Sequence, residues 1–262
     1  MALRRRARAE RPRDGQWPKS RPSLSAHEQE IYEDFVRYWH EVLPRRYSRI
    51  EQFNHRYPRR AWPSTPERLD TLEIGAGLGE HLEYEDLDRQ RYTCVELRPE
   101  LSARIEQRFP NVRVVTADCQ ERLPFEDESF DRIIAVHVLE HLPDLPSAVD
   151  EFRRLLRPNG RLGIVIPCDP GVAYEIARRV SAQRIFERRY GEPYAPFIRR
   201  EHLNRPAEVT DLLERRFTLL ERRYFPLRVP ATSLNLCLGI VAAPTPTSST
   251  ETIRTKGRSQ AT

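Results

Sequence analysis

Three glycines at alternate positions follow an apolar strand and could bring the backbone close to a bound nucleoside. The strand that contains Glu73 runs directly into Gly75, Gly77 and Gly79. Glycine tolerates positive φ and has no side chain, so such a turn can lie against a ligand. The next apolar strand ends in Glu96, about 20 residues later, where a carboxylate that binds ribose hydroxyls is expected. The pattern predicts a nucleoside site.

The spacing of these glycines argues against a nicotinamide dinucleotide. It reads G-x-G-x-G, whereas the dinucleotide fingerprint is G-x-G-x-x-G. Glu73, two residues before Gly75, would lie unfavourably beside a pyrophosphate but suits a cationic ligand that carries adenosine without phosphate. The pattern E-x-G-x-G-x-G resembles motif I of the class I S-adenosylmethionine (SAM) methyltransferases at every fixed position. The resemblance implies SAM as the cofactor; a tight turn without a ligand is the alternative.

Two later phrases extend this resemblance. Residues 123–131 read LPFEDESFD and residues 154–162 read RLLRPNGRL, and both resemble hallmarks of the superfamily that includes the ubiquinone-pathway methyltransferases. The resemblance implies that Asp118, after the third strand, accepts the adenine amino group, with Cys119 beside it. The alternative is that Asp118 only caps a turn.

Histidines after the fourth strand are candidates for the chemistry on the acceptor. The resemblance implies methyl transfer, in which a hydroxyl acceptor must lose a proton at the right place. Imidazole has a suitable unperturbed pKa for that task. His137 and His141 lie where acceptor and methyl group are expected to meet, and they are the predicted catalytic residues. For His141 the alternative is a cap on the following helix.

A metal ion is not expected at this position. Small-RNA 2′-O-methyltransferases and ubiquinone-pathway O-methyltransferases can hold a divalent metal with acids and histidines in this region, and Glu140-His141 resembles part of such a site. His137 stands where a second acid would be needed. Since hard cations and zinc require further ligands, we predict no metal.

An insertion between the fifth strand and the last two strands, residues 170–214, is expected to select the acceptor. Its first part carries eight arginines against four glutamates, with three tyrosines between them. Arginine binds phosphate and carboxylate through paired hydrogen bonds, so an anionic acceptor is one interpretation and a solvated helix face is the other. The region loosely resembles methyltransferases of bacterial surface-glycan pathways. Asp169 or His202 would be an alternative source of the base.

Strands that alternate with helices predict a parallel sheet covered on both faces, with the cofactor motifs at the C-terminal ends of its strands. Two further strands, near 217–223 and 235–241, match the antiparallel hairpin that closes the sheet in this family. The predicted fold class is α/β: a Rossmann-like, doubly wound sheet of seven strands, mostly parallel with an antiparallel C-terminal hairpin.

The 262 residues are expected to form one domain with additions. Residues 67–243 form the predicted methyltransferase domain. Residues 25–66 begin at an S-x-x-E capping box and are predicted to be helical; the resemblance implies a helical cap over the cofactor pocket, and an ordinary amphipathic packing helix is the alternative. The basic tail 1–24 and the polar tail 244–262 have little to bury and are predicted to be disordered.

Charge and cysteine content narrow the class of protein. The net charge of +5 is concentrated in residues 1–25, where eight basic residues face two acids, so the body offers no basic face for nucleic acid. Four cysteines without a C-x-x-C pair indicate buried free thiols and a reducing compartment. No apolar stretch is long enough for a membrane span or resembles a secretory signal.

The sequence thus favours a cytoplasmic SAM-dependent methyltransferase that acts on a small or glycan-linked acceptor, most readily at oxygen. Three alternatives stay open: an RNA methyltransferase helped by the basic tail, a SAM-binding or partner-binding protein without activity, and a nicotinamide dehydrogenase. The sequence does not indicate the oligomeric state.

Overall fold

The computed structural model describes residues 15–46, 48–63 and 68–245. A seven-stranded sheet forms its centre, in the order β3-β2-β1-β4-β5-β7-β6. All neighbouring strands are parallel except β7, which runs antiparallel to both β5 and β6. This arrangement confirms the predicted fold class. The strands are β1 (Leu69–Ile74), β2 (Gln90–Glu96), β3 (Arg113–Thr116), β4 (Phe130–Val136), β5 (Leu156–Pro167), β6 (Phe217–Phe225) and β7 (Cys237–Pro244).

Helices connect and cover these strands. They are α1 (Ala26–Arg46), α2 (Ser48–Arg56), α3 (Pro99–Arg108), α4 (Leu145–Leu155), α5 (Val172–Val180), α6 (Ala182–Tyr190), α7 (Ala195–Glu201) and α8 (Pro206–Arg216). None of the helices in the described residues has the length and apolar character needed to cross a bilayer.

Local sequence explains where several helices begin. Ser25 and Glu28 form the predicted capping box before α1, with the Glu28 carboxylate accepting from the Ser25 amide at 2.8 Å. The carboxylate of Asp144 accepts from the Ser147 amide at the start of α4. The glycines are followed by two 3₁₀ turns and not by an α-helix, because only ten residues separate Gly79 from β2.

The main core lies between the sheet and helices α4 and α8. Phe152 and Leu155 of α4 and Leu213 of α8 are fully buried against apolar residues of the central strands, among them Ile133. Burial of such side chains contributes about 1.5 to 3 kcal/mol each and holds the C-terminal ends of the strands in fixed positions.

A second apolar cluster joins α1 to the insertion. Phe35 of α1 packs edge-on against Phe186 of α6 at 5.0 Å and against Tyr194 at 5.8 Å between ring centroids. Ile31 and Phe197 complete the contact. The predicted cap and the predicted insertion therefore pack on each other, although their boundaries at 25–66 and 170–214 remain predictions.

The segment just before α1 is ordered, which corrects the expected disorder of residues 1–24. Lys19 is only 5% exposed and its ammonium donates to Glu208 of α8 at 2.6 Å. The Trp17 indole N–H donates to the Asn204 side chain at 2.9 Å. The prediction is wrong for residues 15–24 because one buried ion pair and one aromatic anchor, rather than an apolar pattern, hold them.

The remaining parts of the predicted tails, residues 1–14 and 246–262, lie outside the described residues. Pro244, placed in the C-terminal tail by the sequence prediction, is a buried end of β7 that pairs with Phe217. The domain boundary predicted at residue 243 therefore falls inside a strand.

Replacement of Lys19 by alanine is expected to lower the free energy of unfolding by about 3 kcal/mol, because it leaves the Glu208 carboxylate buried without its cation. Although burial acts in the opposite direction, hydrogen bonds from the Arg205 amide and the Lys19 ammonium hold the pKa of Glu208 below its usual range. The contribution of these contacts to stability is therefore present at neutral pH and is lost as pH falls. Urea unfolding at pH 7 measures the difference.

Arg37→Ala is the matched control, because Arg37 pairs with Asp34 at an exposed position. Its expected effect is below about 0.5 kcal/mol. Equal losses for Lys19→Ala and Arg37→Ala would show that residues 15–24 do not contribute to the packed fold.

Candidate cofactor and acceptor site

The glycine turn has the backbone conformation that the sequence predicted. Gly75, Gly77 and Gly79 have φ of 66°, 59° and 78°, a left-handed region that residues with a side chain rarely adopt. The Gly75 amide donates to the Val95 carbonyl at 2.8 Å, and the Gly77 amide donates to the Glu96 carboxylate at 3.0 Å. The turn is thereby tied to the end of β2.

Glu96 lies at the junction of the turn and β2, as expected for a ribose-binding acid. It is 4% exposed. One carboxylate oxygen accepts from Gly77, and the other accepts from the Arg98 amide at 3.1 Å. These bonds fix the carboxylate at the C-terminal edge of the sheet, beside the positive-φ turn, so the geometry fits the nucleoside part of SAM.

Glu73 lies beneath the turn and is buried. Its carboxylate accepts from the Tyr92 hydroxyl at 2.9 Å, and the Cys94 thiol lies 3.9 Å away. Burial raises the pKa of Glu73 to about 8, although the hydrogen bond from Tyr92 acts in the opposite direction. Glu73 therefore lies directly before the turn as a buried carboxyl group that favours its protonated, neutral form below about pH 8.

Glu73→Gln is expected to flatten the dependence of stability on pH. The folded-state pKa lies above the unfolded value, so the folded protein keeps a proton that the unfolded chain releases, and stability falls as pH rises. Between pH 5 and pH 8 the free energy of unfolding should fall about 3 kcal/mol less in Glu73→Gln than in the parent.

Chemical unfolding of the cofactor-free protein at several pH values measures this slope. The control is Glu100→Gln, at an exposed position on α3, which should keep the parental slope. A parental slope in Glu73→Gln would contradict the assignment of a neutral, buried carboxyl group.

Asp118 and Cys119 follow β3 at the same edge. The Asp118 carboxylate accepts from the Gln120 amide and from its side chain, both at 2.9 Å, so Asp118 does form the turn cap of the alternative interpretation. A role toward adenine stays a prediction. Cys119 is buried, and burial raises the pKa of its thiol to about 12. All four cysteines are free and buried, as predicted.

The segment after β4 contacts the glycine turn directly. A Cβ added to Gly75 would lie 2.5 Å from a methyl carbon of Val138, so the turn and the histidine segment are packed without a gap. Residues Leu139–His141 form one 3₁₀ turn. His137 has φ of 53°, a rare conformation for a residue with a side chain. The sequence-predicted catalytic histidines are therefore next to the predicted cofactor turn.

The two predicted histidines have different electrostatic environments. His137 Nδ1 lies 3.1 Å from the Glu140 carboxylate. Burial alone would lower the pKa of His137, but hydrogen bonds to the Cys237 and Glu140 side chains raise it above its ordinary value. Burial lowers the pKa of His141. His137 therefore favours the imidazolium form, and His141 favours the neutral imidazole.

The tautomer of His141 follows from its partner. Its Nδ1 lies 2.9 Å from the backbone carbonyl oxygen of Glu201. A carbonyl oxygen can only accept, so Nδ1 carries the hydrogen and the lone pair is on Nε2. His141 can therefore take a proton at Nε2.

Residues from the insertion complete the site. His202, after α7, places Nδ1 2.7 Å from the Asp169 carboxylate, which follows β5. The rings of His141 and His202 are 5.3 Å apart. The sequence named Asp169 and His202 only as alternatives, because nothing in the local pattern shows that these two residues, 33 positions apart, meet each other here.

Glu140, His141 and His202 could together hold a metal ion. Each offers one ligand atom, and these atoms lie within 4.8 Å of one another. One oxygen of the buried Glu140 carboxylate has no hydrogen-bond partner among the described residues. The sequence shows no further metal ligand beside Glu140 and His141, whereas the fold brings His202 to them as a third ligand. The absence of a metal stays a prediction.

Hydrogen bonds from Asn204 hold the insertion against the segment that follows β4. Its side-chain amide donates to the carbonyls of Leu139 and Leu142 at 2.8 and 2.7 Å, and it is buried. The asparagine in the sequence Arg-Glu-His-Leu-Asn is the signal that could have indicated this contact, since a buried amide needs several partners.

Comparison with known protein families agrees with this geometry. Residues 72–164 match the family described as "Methyltransferase domain". The sterol 4-C-methyltransferase strm-1 of Caenorhabditis elegans is 32% identical over 102 residues, which cover 36% of this chain and 30% of that protein. Demethylmenaquinone methyltransferase of Chlorobaculum tepidum is 28% identical over 38% of this chain and 41% of that protein. This chain spans less than half the length of these curated relatives.

Solved structures show the same fold at low identity. The 1,6-didemethyltoxoflavin-N1-methyltransferase of Burkholderia thailandensis, with bound S-adenosylhomocysteine, superimposes with a TM-score of 0.55 at 21% identity, covering 87% of this chain and 94% of that chain. A TehB-like SAM-dependent methyltransferase of Corynebacterium glutamicum gives 0.57 at 16% identity, covering 83% and 100%.

Proposed function

We propose that this chain, whose residues 72–164 match the family described as "Methyltransferase domain", is a SAM-dependent methyltransferase that transfers a methyl group to an oxygen atom of a small or glycan-linked acceptor carrying an anionic group. The cofactor is SAM, and the residues that would hold it are Gly75, Gly77, Gly79 and Glu96, with Glu73 in support. When bound, SAM supplies an activated methyl group on a sulfonium.

One observation carries the choice of oxygen: a neutral imidazole lies beside the cofactor turn. A hydroxyl acceptor must lose its proton as the new bond forms, so a base within reach raises the rate. His141 has its lone pair on Nε2, and burial lowers its pKa. His141 is the proposed base.

His137 has a different proposed role. Its raised pKa keeps a hydrogen on both ring nitrogens, so it can donate but not accept a proton. A cation at this position stabilises the Glu140 carboxylate, which lies between His137 and His141. Support for catalysis is thus stronger for His141 than for His137.

One arginine of the insertion, Arg178, supports the proposal that the acceptor carries an anionic group. Arg178 is 14% exposed at its side chain, and its Nε has no partner among the described residues. It lies one helical turn from Tyr174, on the same face of α5, and the Tyr174 ring is 6.0 Å from His202. The Arg178 guanidinium also lies 3.9 Å from the Glu175 carboxylate and over the Tyr194 ring, whereas Arg189 is paired with Asp34.

The test is transfer of a labelled methyl group from SAM to fractionated metabolite extracts, followed by identification of the labelled atom. Label on an oxygen of an acidic small molecule or glycan is the expected result. Label on RNA would replace the proposed acceptor class. SAM binding without transfer to any fraction would favour a binding protein that keeps the fold.

A further inference from the structure

Exposed large apolar side chains are concentrated on two elements. Among the described residues eight such side chains are exposed, and six of them lie on α5 or on the loop between β6 and β7. We call these six residues the apolar face: Val172, Ile176, Val180, Leu227, Val229 and Leu234. The three on α5 are spaced at i, i+4 and i+8, so they share one side of the helix. Clustering of this kind marks an interaction surface.

Hydrogen bonds of Asn235 fix the loop between β6 and β7, which carries half of the apolar face. Asn235 is fully buried, and its side-chain oxygen accepts from the Leu227 amide at 2.8 Å. Its side-chain amide donates to the carbonyls of Val229 and Ala231 at 3.0 and 2.9 Å. The fold therefore fixes this loop from inside while its apolar side chains point outward.

The two elements meet at Gly171. A Cβ at this position would lie 2.6 Å from the Thr232 carbonyl oxygen and 3.3 Å from Ser233 Cα. The first turn of α5 thus lies directly against the loop, with Val172 and Leu234 each one residue beyond the contact. The apolar face forms one surface.

Positive charge surrounds this face. Residues 222–236 contain three arginines and no acid, and residues 172–190 contain five arginines against two glutamates. Arg49, Arg223 and Arg228 line a shallow cavity together with Phe53 and Phe225. Of these arginines, only Arg223 has a carboxylate partner within the described ranges. A second copy of this chain on the same face would place arginine against arginine, which is unfavourable.

The apolar face lies on the edge of the sheet that carries the candidate site. β6 runs parallel to β5, since both pair antiparallel with β7. The loop after β6 and helix α5 after β5 therefore lie at the C-terminal edge, together with the glycine turn and the histidine segment.

We propose that the apolar face and its arginines dock this protein on the surface of an anionic lipid bilayer. Apolar side chains enter the boundary between headgroups and acyl chains, and arginines bind the lipid phosphates. Each basic residue near such a surface adds electrostatic attraction, which weakens as the salt concentration rises. This inference does not depend on methyl transfer.

Flotation of the full chain with vesicles tests the proposal. Vesicles with about one third phosphatidylglycerol in phosphatidylcholine should bind the protein, and pure phosphatidylcholine should bind it at least tenfold more weakly. The triple variant Leu227→Ser/Val229→Ser/Leu234→Ser should lose at least about tenfold in partitioning to anionic vesicles. Arg228→Gln should weaken binding at low salt and reduce its salt dependence.

Leu220→Ser is the matched control, because Leu220 is 51% exposed on β6 but outside the apolar face; it should bind vesicles as the parent does. Thermal unfolding and SAM affinity, measured on every variant, show whether a loss reflects misfolding or failure of the cofactor site. Unchanged flotation of the folded triple variant overturns the proposal. The proposal is also overturned if the parent protein forms a dimer at increasing concentration and the triple variant does not, because a second copy would then cover the apolar face.

Discussion

Replacement of His141 by glutamine is expected to lower kcat by about 10² to 10⁴ while SAM binds with unchanged affinity. Glutamine keeps a hydrogen-bonding side chain of similar length but cannot take a proton at neutral pH. The effect appears in kcat because the base acts on the acceptor proton in the transition state and does not contact the bound cofactor. Steady-state kinetics with calorimetry of SAM binding measure both quantities.

Two substitutions separate this role from the alternatives. His137→Gln should cost much less in kcat, because His137 favours the imidazolium form. His202→Gln should cost as much as His141→Gln only if a metal is held by Glu140, His141 and His202, and a chelator should then inhibit the parent protein. Parental kcat in His141→Gln would show that the acceptor needs no base or that another residue supplies it.

A valine at Gly77 is expected to weaken SAM binding by at least about 100-fold, or about 2.7 kcal/mol, without unfolding the sheet. The left-handed backbone at Gly77 disfavours a branched Cβ, and that Cβ would occupy the side of the turn that faces the ligand. Strain would also weaken the hydrogen bond that the Gly77 amide donates to the Glu96 carboxylate. Calorimetry with SAM and with its demethylated product measures the loss.

Gly191→Val is the matched control for the backbone alone. Gly191 ends α6 with φ of 71°, and no atom lies within 4 Å of its added Cβ. Its variant should lose about 1 to 2 kcal/mol of stability and keep its SAM affinity. Full SAM affinity in a folded Gly77→Val protein would remove the glycine turn from the cofactor site.

The sequence predicted those features that depend on short-range pattern. The order of strands and helices follows from local spacing and from the resemblance, and the sheet confirms it. The glycines have the positive φ that their turn requires, and the role of these glycines and Glu96 toward the cofactor stays a prediction. His202 and Asp169 could not be paired in this way, because the contact depends on how α7 folds back over β5. The same reason explains Lys19, whose partner Glu208 is 189 residues away.

The sequence also could not predict how the pKa values of the two histidines are shifted. His137 and His141 have the same side chain and lie four residues apart, yet their pKa values are shifted in opposite directions. Burial lowers the pKa of both groups, but hydrogen bonds to the Cys237 and Glu140 side chains raise the pKa of His137, whereas Nδ1 of His141 faces a neutral carbonyl and burial prevails. Only the folded geometry distinguishes the two environments.

The aromatic contact between α1 and the insertion couples the packing of two distant parts of the chain, so the acceptor selection predicted for the insertion would depend on α1 as well. If residues 170–214 were exchanged for the corresponding region of a relative, Ile31 and Phe35 would lose the partners that bury them. A chimaera of that kind would therefore need matching changes in α1 to fold. New specificity in this protein is accordingly expected to arise through coupled substitutions rather than through transfer of a self-contained module.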